Sequence, residues 1–150
     1  MTLAVEWTNV LQVDEVFDLT KQSYQGHGWS KAVFAADLSQ PTAWYFGGRI
    51  DGKLIAYVSA SLVLDELSIT NVAVAPDWQQ QGIGRSLMMR CLDQFKQPLR
   101  ILLEVRASNQ KAQKLYHHLG FETYYIRENY YQNPVEAAQL MDLKINGWGE

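Results

Sequence analysis

Apolar residues near the start of the chain recur at helical spacing. A short apolar stretch at residues 3–7 predicts a strand, and the positions that repeat after it every three or four residues are Val13, Val16, Phe17 and Thr20. A second helix is predicted to begin at Ser30, because a serine hydroxyl caps a helix, and Trp29 and Phe34 occupy the two positions of a hydrophobic staple. The chain therefore opens with a strand and two helices.

The pattern then changes to that of strands. Residues 43–50 and 53–64 are rich in aromatic and β-branched residues and are separated by Asp51-Gly52, which is a strong hairpin signal. Residues 68–75 predict another strand, which stops at Pro76 because proline has no N–H to donate to a neighbouring strand. A loop is expected to begin at Pro76.

Helices and strands alternate in the second half of the chain. A helix after Gly84 is indicated by apolar residues at Leu87, Met88, Cys91, Leu92 and Phe95, with Pro98 beyond its end. Residues 101–105 predict a short strand of the kind that is buried on both faces. The helix that follows is indicated by Ala112, Leu115, Tyr116 and Leu119, and Gly120 terminates it.

The last segment reads as two strands, at residues 121–127 and 139–145, joined by a loop that contains Asn133-Pro134. The sequence contains no internal repeat, linker or low-complexity stretch. Residues 1–150 are therefore predicted to form a single domain of the α/β class, with one sheet.

Composition narrows the possible partners and the compartment. Hydrophobic residues make up 47% of the chain, and the net charge of −3 comes from scattered residues that form no basic stripe, which disfavours extended nucleic-acid binding. A single cysteine, Cys91, excludes an internal disulfide, and no apolar run approaches the roughly 20 residues that span a bilayer. We expect a cytoplasmic protein with no membrane segment. His27, His117 and His118 lack companion ligands, so no metal is expected.

The segment that follows residues 68–75 indicates an anion site. Gly82 and Gly84 stand where a helix begins, and the first turn of a helix presents unpaired N–H groups with partial positive charge, as a pyrophosphate requires. No third glycine is placed to complete a dinucleotide-binding fingerprint. A tight turn with no ligand explains the two glycines equally well.

The surrounding residues resemble the acetyl-CoA motif of the GNAT superfamily of N-acetyltransferases. Gln79-Gln80-Gln81-Gly82-Ile83-Gly84 matches its glycine loop, and Val72-Ala73-Val74 matches the strand before it. The resemblance implies a mixed, mostly antiparallel sheet flanked by about four helices. It also implies that Val72, Ala73 and Val74 pair with pantetheine and that the N–H groups of Gln80, Gln81, Gly82, Ile83, Gly84 and Arg85 hold the pyrophosphate. Many relatives carry arginine where this chain has glutamine, so the helix dipole and Arg85 would supply the attraction.

A second motif is more specific. Leu103-Glu104-Val105-Arg106-Ala107-Ser108-Asn109, followed by Leu115-Tyr116 and Gly120-Phe121, resembles the ribosomal-protein alanine N-acetyltransferase branch of the superfamily, RimI. This resemblance implies that Glu104 is the proton acceptor, Tyr116 the proton donor, and Asn109 a cofactor contact. The simpler alternatives are a salt bridge from Glu104 to Arg106 and a core position for Tyr116.

The residues favour direct attack of an amine on acetyl-CoA. No Ser/His/Asp arrangement is visible, and Cys91 lies on an apolar helix face, so an acyl-enzyme has no nucleophile. Backbone N–H groups around residues 72–74 are suitable donors to the thioester oxygen. Deprotonating an α-amino group at pH 7 costs ~1 kcal/mol, whereas deprotonating a lysine costs ~4.6 kcal/mol. A single carboxylate is therefore better suited to an α-amino acceptor.

The resemblance implies a protein N-terminus as the acceptor, notably the alanine of ribosomal protein S18. The groove for this acceptor is expected between residues 26–29 and the loop after Tyr130. That loop keeps one acid, Glu136, of the acidic pair found in relatives. Two alternatives stay open: a GNAT enzyme acting on a small amine or a lysine side chain, and a CoA-binding regulatory module without turnover.

Overall fold

The computed structural model describes residues 4–24 and 28–147. Within these residues the four α-helices are α1 (Val13–Ser23), α2 (Lys31–Leu38), α3 (Ile83–Asp93) and α4 (Gln110–His118). The seven strands are β1 (Glu6–Thr8), β2 (Ala43–Ile50), β3 (Lys53–Val63), β4 (Glu66–Val74), β5 (Leu99–Arg106), β6 (Glu122–Tyr131) and β7 (Glu136–Ile145). No described helix is long and apolar enough to cross a bilayer.

The strands form a mixed sheet in the order β1-β2-β3-β4-β5-β7-β6. Strands β4 and β5 pair in parallel, whereas β1 with β2, β2 with β3, β5 with β7, and β6 with β7 are antiparallel. The prediction of a mixed, mostly antiparallel sheet with four helices is confirmed. The described chain divides into two compact units, and β4 contributes to both.

Unit 1 comprises the described residues up to Leu62 together with Thr70–Gln94. Its fully buried side chains come from helices α1 to α3 and strand β3, and they include Val16, Phe34, Tyr57, Val58, Leu87 and Met88. Ser30 caps α2 as predicted, since its Oγ accepts a 3.2 Å bond from the Val33 N–H. The staple is present too, with the Trp29 and Phe34 rings 5.2 Å apart.

Two predicted boundaries of unit 1 shift. The first strand is Glu6–Thr8, and the predicted start at Leu3 lies outside the described residues. A 3₁₀ turn at Pro76–Trp78 stands where a loop was predicted, because the fixed φ of proline suits the first position of a helical turn. The hairpin is as predicted, with Asp51 and Gly52 both at positive φ, as a type I′ turn requires.

Unit 2 comprises Val63–Ile69 and the described residues from Phe95 onward. The prediction that residues 101–105 are buried on both faces is wrong. Strand β5 alternates, with Leu99, Ile101, Leu103 and Val105 buried and Glu104 exposed. The other face carries Arg100, which bonds the Asp142 carboxylate at 2.9 Å, and this ion pair is partly exposed to water.

The closing hairpin of unit 2 is longer than predicted. Strand β6 runs to Tyr131 and β7 begins at Glu136, so only residues 132–135 connect them, including the predicted Asn133-Pro134. Most side chains of β6 are exposed on both faces, so the strand has no apolar alternation to reveal its full length. The prediction that residues 1–150 form one domain stays a prediction.

Candidate active site

In unit 1, a packed strand and a packed helix hold an exposed loop between them. The Ala75 N–H, just after β4, donates to the Ile55 carbonyl at 2.8 Å. Ala73 is buried on the strand, and Leu87 and Met88 of α3 are fully buried. Because both flanks are anchored by packing, the loop at residues 76–82 has a defined position within this unit.

Gly82 begins helix α3 in a conformation that favours glycine. Its φ of 78° is left-handed, and a Cβ built on it would meet nothing within 4 Å. The backbone conformation, and not crowding, therefore requires glycine here. The first helical bond runs from the Ser86 N–H to the Gly82 carbonyl at 3.0 Å, which leaves the N–H groups of Ile83, Gly84 and Arg85 without intrahelical acceptors. Open space beside Gly82, next to the N–H groups of the first helical turn, is compatible with a bound pyrophosphate.

The loop glutamines brace the loop. Gln79 donates through Nε2 to the Val74 carbonyl, and Gln81 donates to the Asp77 carbonyl, each at 3.0 Å. Gln80 has a positive φ of 62° and is exposed, as is Arg85. Gln79 and Gln81 therefore help to hold the loop in place through neutral amides.

Ser23, the last residue of α1, and Tyr24, which follows it, contact the predicted cofactor strand, and neither was predicted from the sequence. Tyr24 donates through its hydroxyl to the Val72 carbonyl at 2.6 Å, and Ser23 donates to the Val74 carbonyl at 3.1 Å. Burial raises the pKa of Tyr24, so this hydroxyl remains a donor. Contacts across 48 and 51 residues leave no local pattern in a single sequence.

In unit 2, Glu104 is the exposed carboxylate near the end of β5. The buried neighbours Leu103 and Val105 fix the strand, so the Glu104 side chain points away from the core. Its Oε2 accepts a 2.7 Å hydrogen bond from the Tyr130 hydroxyl of β6. The alternative of a salt bridge to Arg106 is not what the structure shows, because Arg106 pairs with Glu136 at 3.1 Å.

Aromatic and charged side chains surround Glu104 within unit 2. The Tyr130 and Tyr131 rings meet edge to face at 5.1 Å, and the Arg106 guanidinium lies 4.3 Å from the centre of the Tyr131 ring. The hydrogen bond to Glu104 raises the pKa of Tyr130, and burial raises the pKa of Tyr131 to about 12. Both phenols are therefore neutral donors at physiological pH.

Glu136, the single acid left in the last loop region, is engaged inside unit 2. One of its oxygens accepts from Arg106 and the other accepts a 2.9 Å bond from the Ser108 N–H. These bonds, led by the one from Ser108, lower the pKa of Glu136. The residue thus braces the turn after β5.

Helix α4 carries the other two predicted residues of unit 2. Asn109 caps the helix, since its Oδ1 accepts a 3.2 Å bond from the Ala112 N–H. Tyr116 is 7% exposed, and its ring packs edge to face with Phe121 at 5.7 Å. Both residues therefore have a structural role in addition to any role toward a cofactor.

The remaining candidates have other surroundings. Burial raises the pKa of the Cys91 thiol to about 12, which leaves it unsuited to nucleophilic attack. His117 bonds the Phe121 carbonyl through Nδ1 at 3.1 Å. Gly26 and His27 lie outside the described residues, and among those described no three His, Cys, Asp or Glu residues group as metal ligands.

A strand that leads into a glycine-capped helix in unit 1, and an exposed carboxylate on a strand of unit 2, are each compatible with an acyltransferase that uses a CoA thioester. Residues 11–121 match the Acetyltransferase (GNAT) family, and the chain belongs to this family. It is an N-acetyltransferase that uses acetyl-CoA as the acetyl donor. The regulatory module without turnover is therefore set aside.

Similar proteins narrow the class further. The chain is 39% identical over 124 residues to the [ribosomal protein bS18]-alanine N-acetyltransferase of Escherichia coli K12, covering 79% of this chain and 82% of that protein. The crystal structure of the ribosomal-protein-S18-alanine N-acetyltransferase from Escherichia coli aligns with a TM-score of 0.89 and 32% identity, over 98% of this chain and 97% of that one. Arabidopsis thaliana NAA60 in complex with acetyl-CoA shares the fold, with a TM-score of 0.79 at 17% identity, over 97% and 100% of the two chains.

Proposed function

We propose that this enzyme acetylates the α-amino group of a protein N-terminus, with the N-terminal alanine of a ribosomal S18 protein as the acceptor, in the cytoplasm. The observation that carries the proposal is the exposed Glu104 carboxylate on β5, in a chain whose Escherichia coli relative is named for that acceptor. Deprotonating an α-amine at pH 7 costs ~1 kcal/mol, whereas deprotonating a lysine costs ~4.6 kcal/mol, so a single carboxylate is better suited to an α-amine.

The cofactor residues are proposed to act mainly through backbone groups. Acetyl-CoA supplies an acetyl group activated as a thioester. The backbone of Val72, Ala73 and Val74 would bind pantetheine, and the N–H groups of the loop and the first turn of α3 would bind the pyrophosphate; these are Gln80, Gln81, Gly82, Ile83, Gly84 and Arg85. The left-handed Gly82 and the open space beside it support this assignment, and Asn109 is proposed as a further contact.

Two side chains are proposed to move protons during direct attack. Glu104 accepts the proton of the acceptor ammonium, directly or through a water, and its exposure leaves room for an amine. Tyr116 acts as the proton donor toward the departing thiolate. A phenol near pKa 10 gives only moderate driving force toward a thiol near 8.5, so Tyr116 acts chiefly by stabilising developing charge.

A small amine or a lysine side chain is the second candidate acceptor. The observation that favours it is that both carboxylate oxygens of Glu136 already accept hydrogen bonds, one from Arg106 and one from the Ser108 N–H. This carboxylate is therefore committed inside unit 2, and it offers little to a basic residue further along a protein acceptor.

An acceptor comparison tests the proposal. The full chain is incubated with acetyl-CoA and a hexapeptide that carries the free N-terminus of an S18 protein, and released CoA is measured with a thiol-reactive dye. The matched controls are the same peptide with a blocked N-terminus and an added internal lysine, and spermidine. We expect CoA release and a 42 Da mass gain, which is one acetyl group, with the free N-terminus alone. Transfer to the blocked peptide or to spermidine, with none to free N-termini, would overturn it.

A further inference from the structure

One hydroxyl in unit 2 contacts the proposed proton acceptor and has no role in the mechanism above. Tyr130 donates to Glu104 Oε2 at 2.7 Å, although the two residues lie 26 positions apart on different strands. Tyr130 is 36% exposed, so packing alone does not account for the orientation of its hydroxyl. The bond instead reflects the shape of the strand that carries it.

An irregularity in β6 aims this hydroxyl. Arg127 pairs with Ala138 and Tyr131 pairs with Glu136, so β6 advances four residues where β7 advances two. Asn129, inside the irregular stretch, has a left-handed φ of 53°. Extra residues of this kind bend a strand and redirect a side chain, and asparagine tolerates the left-handed conformation better than most residues.

We propose that Tyr130 is a positioning residue for Glu104: its hydroxyl binds Oε2, fixes the carboxylate plane, and leaves Oε1 to take the proton of the acceptor amine. A hydrogen bond to one carboxylate oxygen fixes the direction in which the other oxygen points. In the transfer, one N–H bond of the ammonium breaks and one O–H bond forms at Oε1. This inference rests on the proposed role of Glu104.

Other charged and titratable groups of unit 2 face the pair. The Arg127 guanidinium lies 5.3 Å from the centre of the Tyr130 ring, and Tyr131 contacts that ring edge to face. Arg106 and Glu136 lie beyond Tyr131 and bind each other. The Tyr130 hydroxyl is the group that donates directly to Oε2, so its removal changes the carboxylate without disturbing the Arg106–Glu136 ion pair.

The first test replaces the hydroxyl alone. Tyr130→Phe is expected to lower kcat about tenfold with an unchanged KM for acetyl-CoA, as for a lost hydrogen bond to a charged group. The effect is expected on kcat and not on cofactor binding, because the substitution leaves the carboxylate in place but no longer oriented. Tyr125→Phe, on the same strand and 59% exposed, is the matched control and should match the wild type. A Tyr130→Phe variant with the kcat of the wild type overturns the inference.

The second test separates the backbone from the side chain. Asn129→Gly keeps the left-handed conformation accessible, whereas Asn129→Val, with its branched Cβ, disfavours it. We expect Asn129→Gly to retain the wild-type kcat and Asn129→Val to resemble Tyr130→Phe. Equal activity of the two variants would show that the bend in β6 does not aim Tyr130.

A third measurement needs no acceptor, so it distinguishes failure of this inference from failure of the proposed function. NMR titration of ¹³C-labelled tyrosine is expected to give Tyr130 a pKa above its usual 10 in the wild type and a lower pKa in Glu104→Gln. Equal values in the two proteins overturn the contact even if acetylation succeeds. The expected difference, in an enzyme that acetylates no N-terminus, refutes the proposed acceptor and leaves the contact standing.

Discussion

In the loop between β4 and α3, the groups available to a ligand are backbone N–H donors, whereas at the end of β5 they are the side chains Glu104 and Tyr130. The proposed role of the loop of unit 1 therefore depends on backbone conformation, above all at Gly82. The cluster of unit 2 depends on the identity of each side chain. Substitutions should separate the two: side-chain changes in unit 2 affect turnover, and backbone changes in unit 1 affect cofactor affinity.

The largest expected effect is on turnover. Glu104→Gln keeps the size and the Tyr130 contact but removes the proton acceptor, so kcat should fall by roughly 10²- to 10⁴-fold. Acetyl-CoA affinity, measured by calorimetry, should stay within about twofold because Glu104 is not among the proposed cofactor contacts. A fall in affinity with unchanged kcat would break the comparison.

Tyr116→Phe should have the next largest effect. Removing the hydroxyl leaves the ring and its packing against Phe121, so the variant should still fold while kcat falls by about tenfold or more. Stopped-flow measurement of the acetyl-transfer step checks this. If turnover is unchanged, the role of Tyr116 is that of a core residue.

Gly82→Val should weaken cofactor affinity without altering the proton-transfer groups. A left-handed residue with a Cβ costs about 1–2 kcal/mol, and a β-branched one costs more, which corresponds to an affinity loss of roughly tenfold. Calorimetric titration with CoA measures it, and Gly120→Ala, at a positive φ in unit 2, is the control for backbone strain elsewhere. A loss of kcat at saturating acetyl-CoA would contradict this prediction.

Gln80→Arg tests whether a positively charged side chain in the loop strengthens CoA binding. Its exposed position should place the guanidinium near a bound pyrophosphate and tighten CoA binding about two- to fivefold at low salt, since exposed ion pairs are worth little. The gain should disappear in 0.5 M salt. Gln80→Lys is the matched comparison, with the charge but without the planar fork.

The smallest expected effect is a pH-dependent change in stability at Glu136. Its carboxylate is held charged by the Ser108 N–H and Arg106, so its pKa in the folded chain lies below the usual 4.5. Such a group stabilises the fold fully above about pH 4.5, and that contribution is lost as pH falls through the lowered value. The difference in thermal midpoint between wild type and Glu136→Gln should therefore be present at pH 6 and shrink toward pH 3.

Local signals predicted the parts of the fold that depend on neighbouring residues. A helix cap or a turn is favoured locally at Ser30, Asp51-Gly52 and Gly82, and the structure has one at each of these positions. The two faces of β5 were misread, because one sequence does not reveal that Arg100 has a partner in Asp142. The glycine loop and Glu104 were found through motifs, and their roles remain proposals.

Contacts between residues far apart in the chain could not be predicted from the sequence. Tyr24 reaches Val72 across 48 residues. Tyr130 reaches Glu104 only because β6 carries two more residues than β7 between their paired positions, and a period-2 pattern cannot encode that bend. The loop after Tyr130 was expected from the sequence to line the acceptor groove, but the contact of Tyr130 with Glu104 could not be predicted without the strand register.

Cys91 has a practical consequence for every assay described above. The chain carries one cysteine, fully buried in α3. A thiol-reactive dye therefore reports CoA from a folded sample with little background from the protein. The same dye, added without acetyl-CoA, reports unfolding, because one reactive thiol per chain becomes accessible when α3 leaves the core. A substitution that destabilises the enzyme is therefore detected as dye reaction in the control without acetyl-CoA.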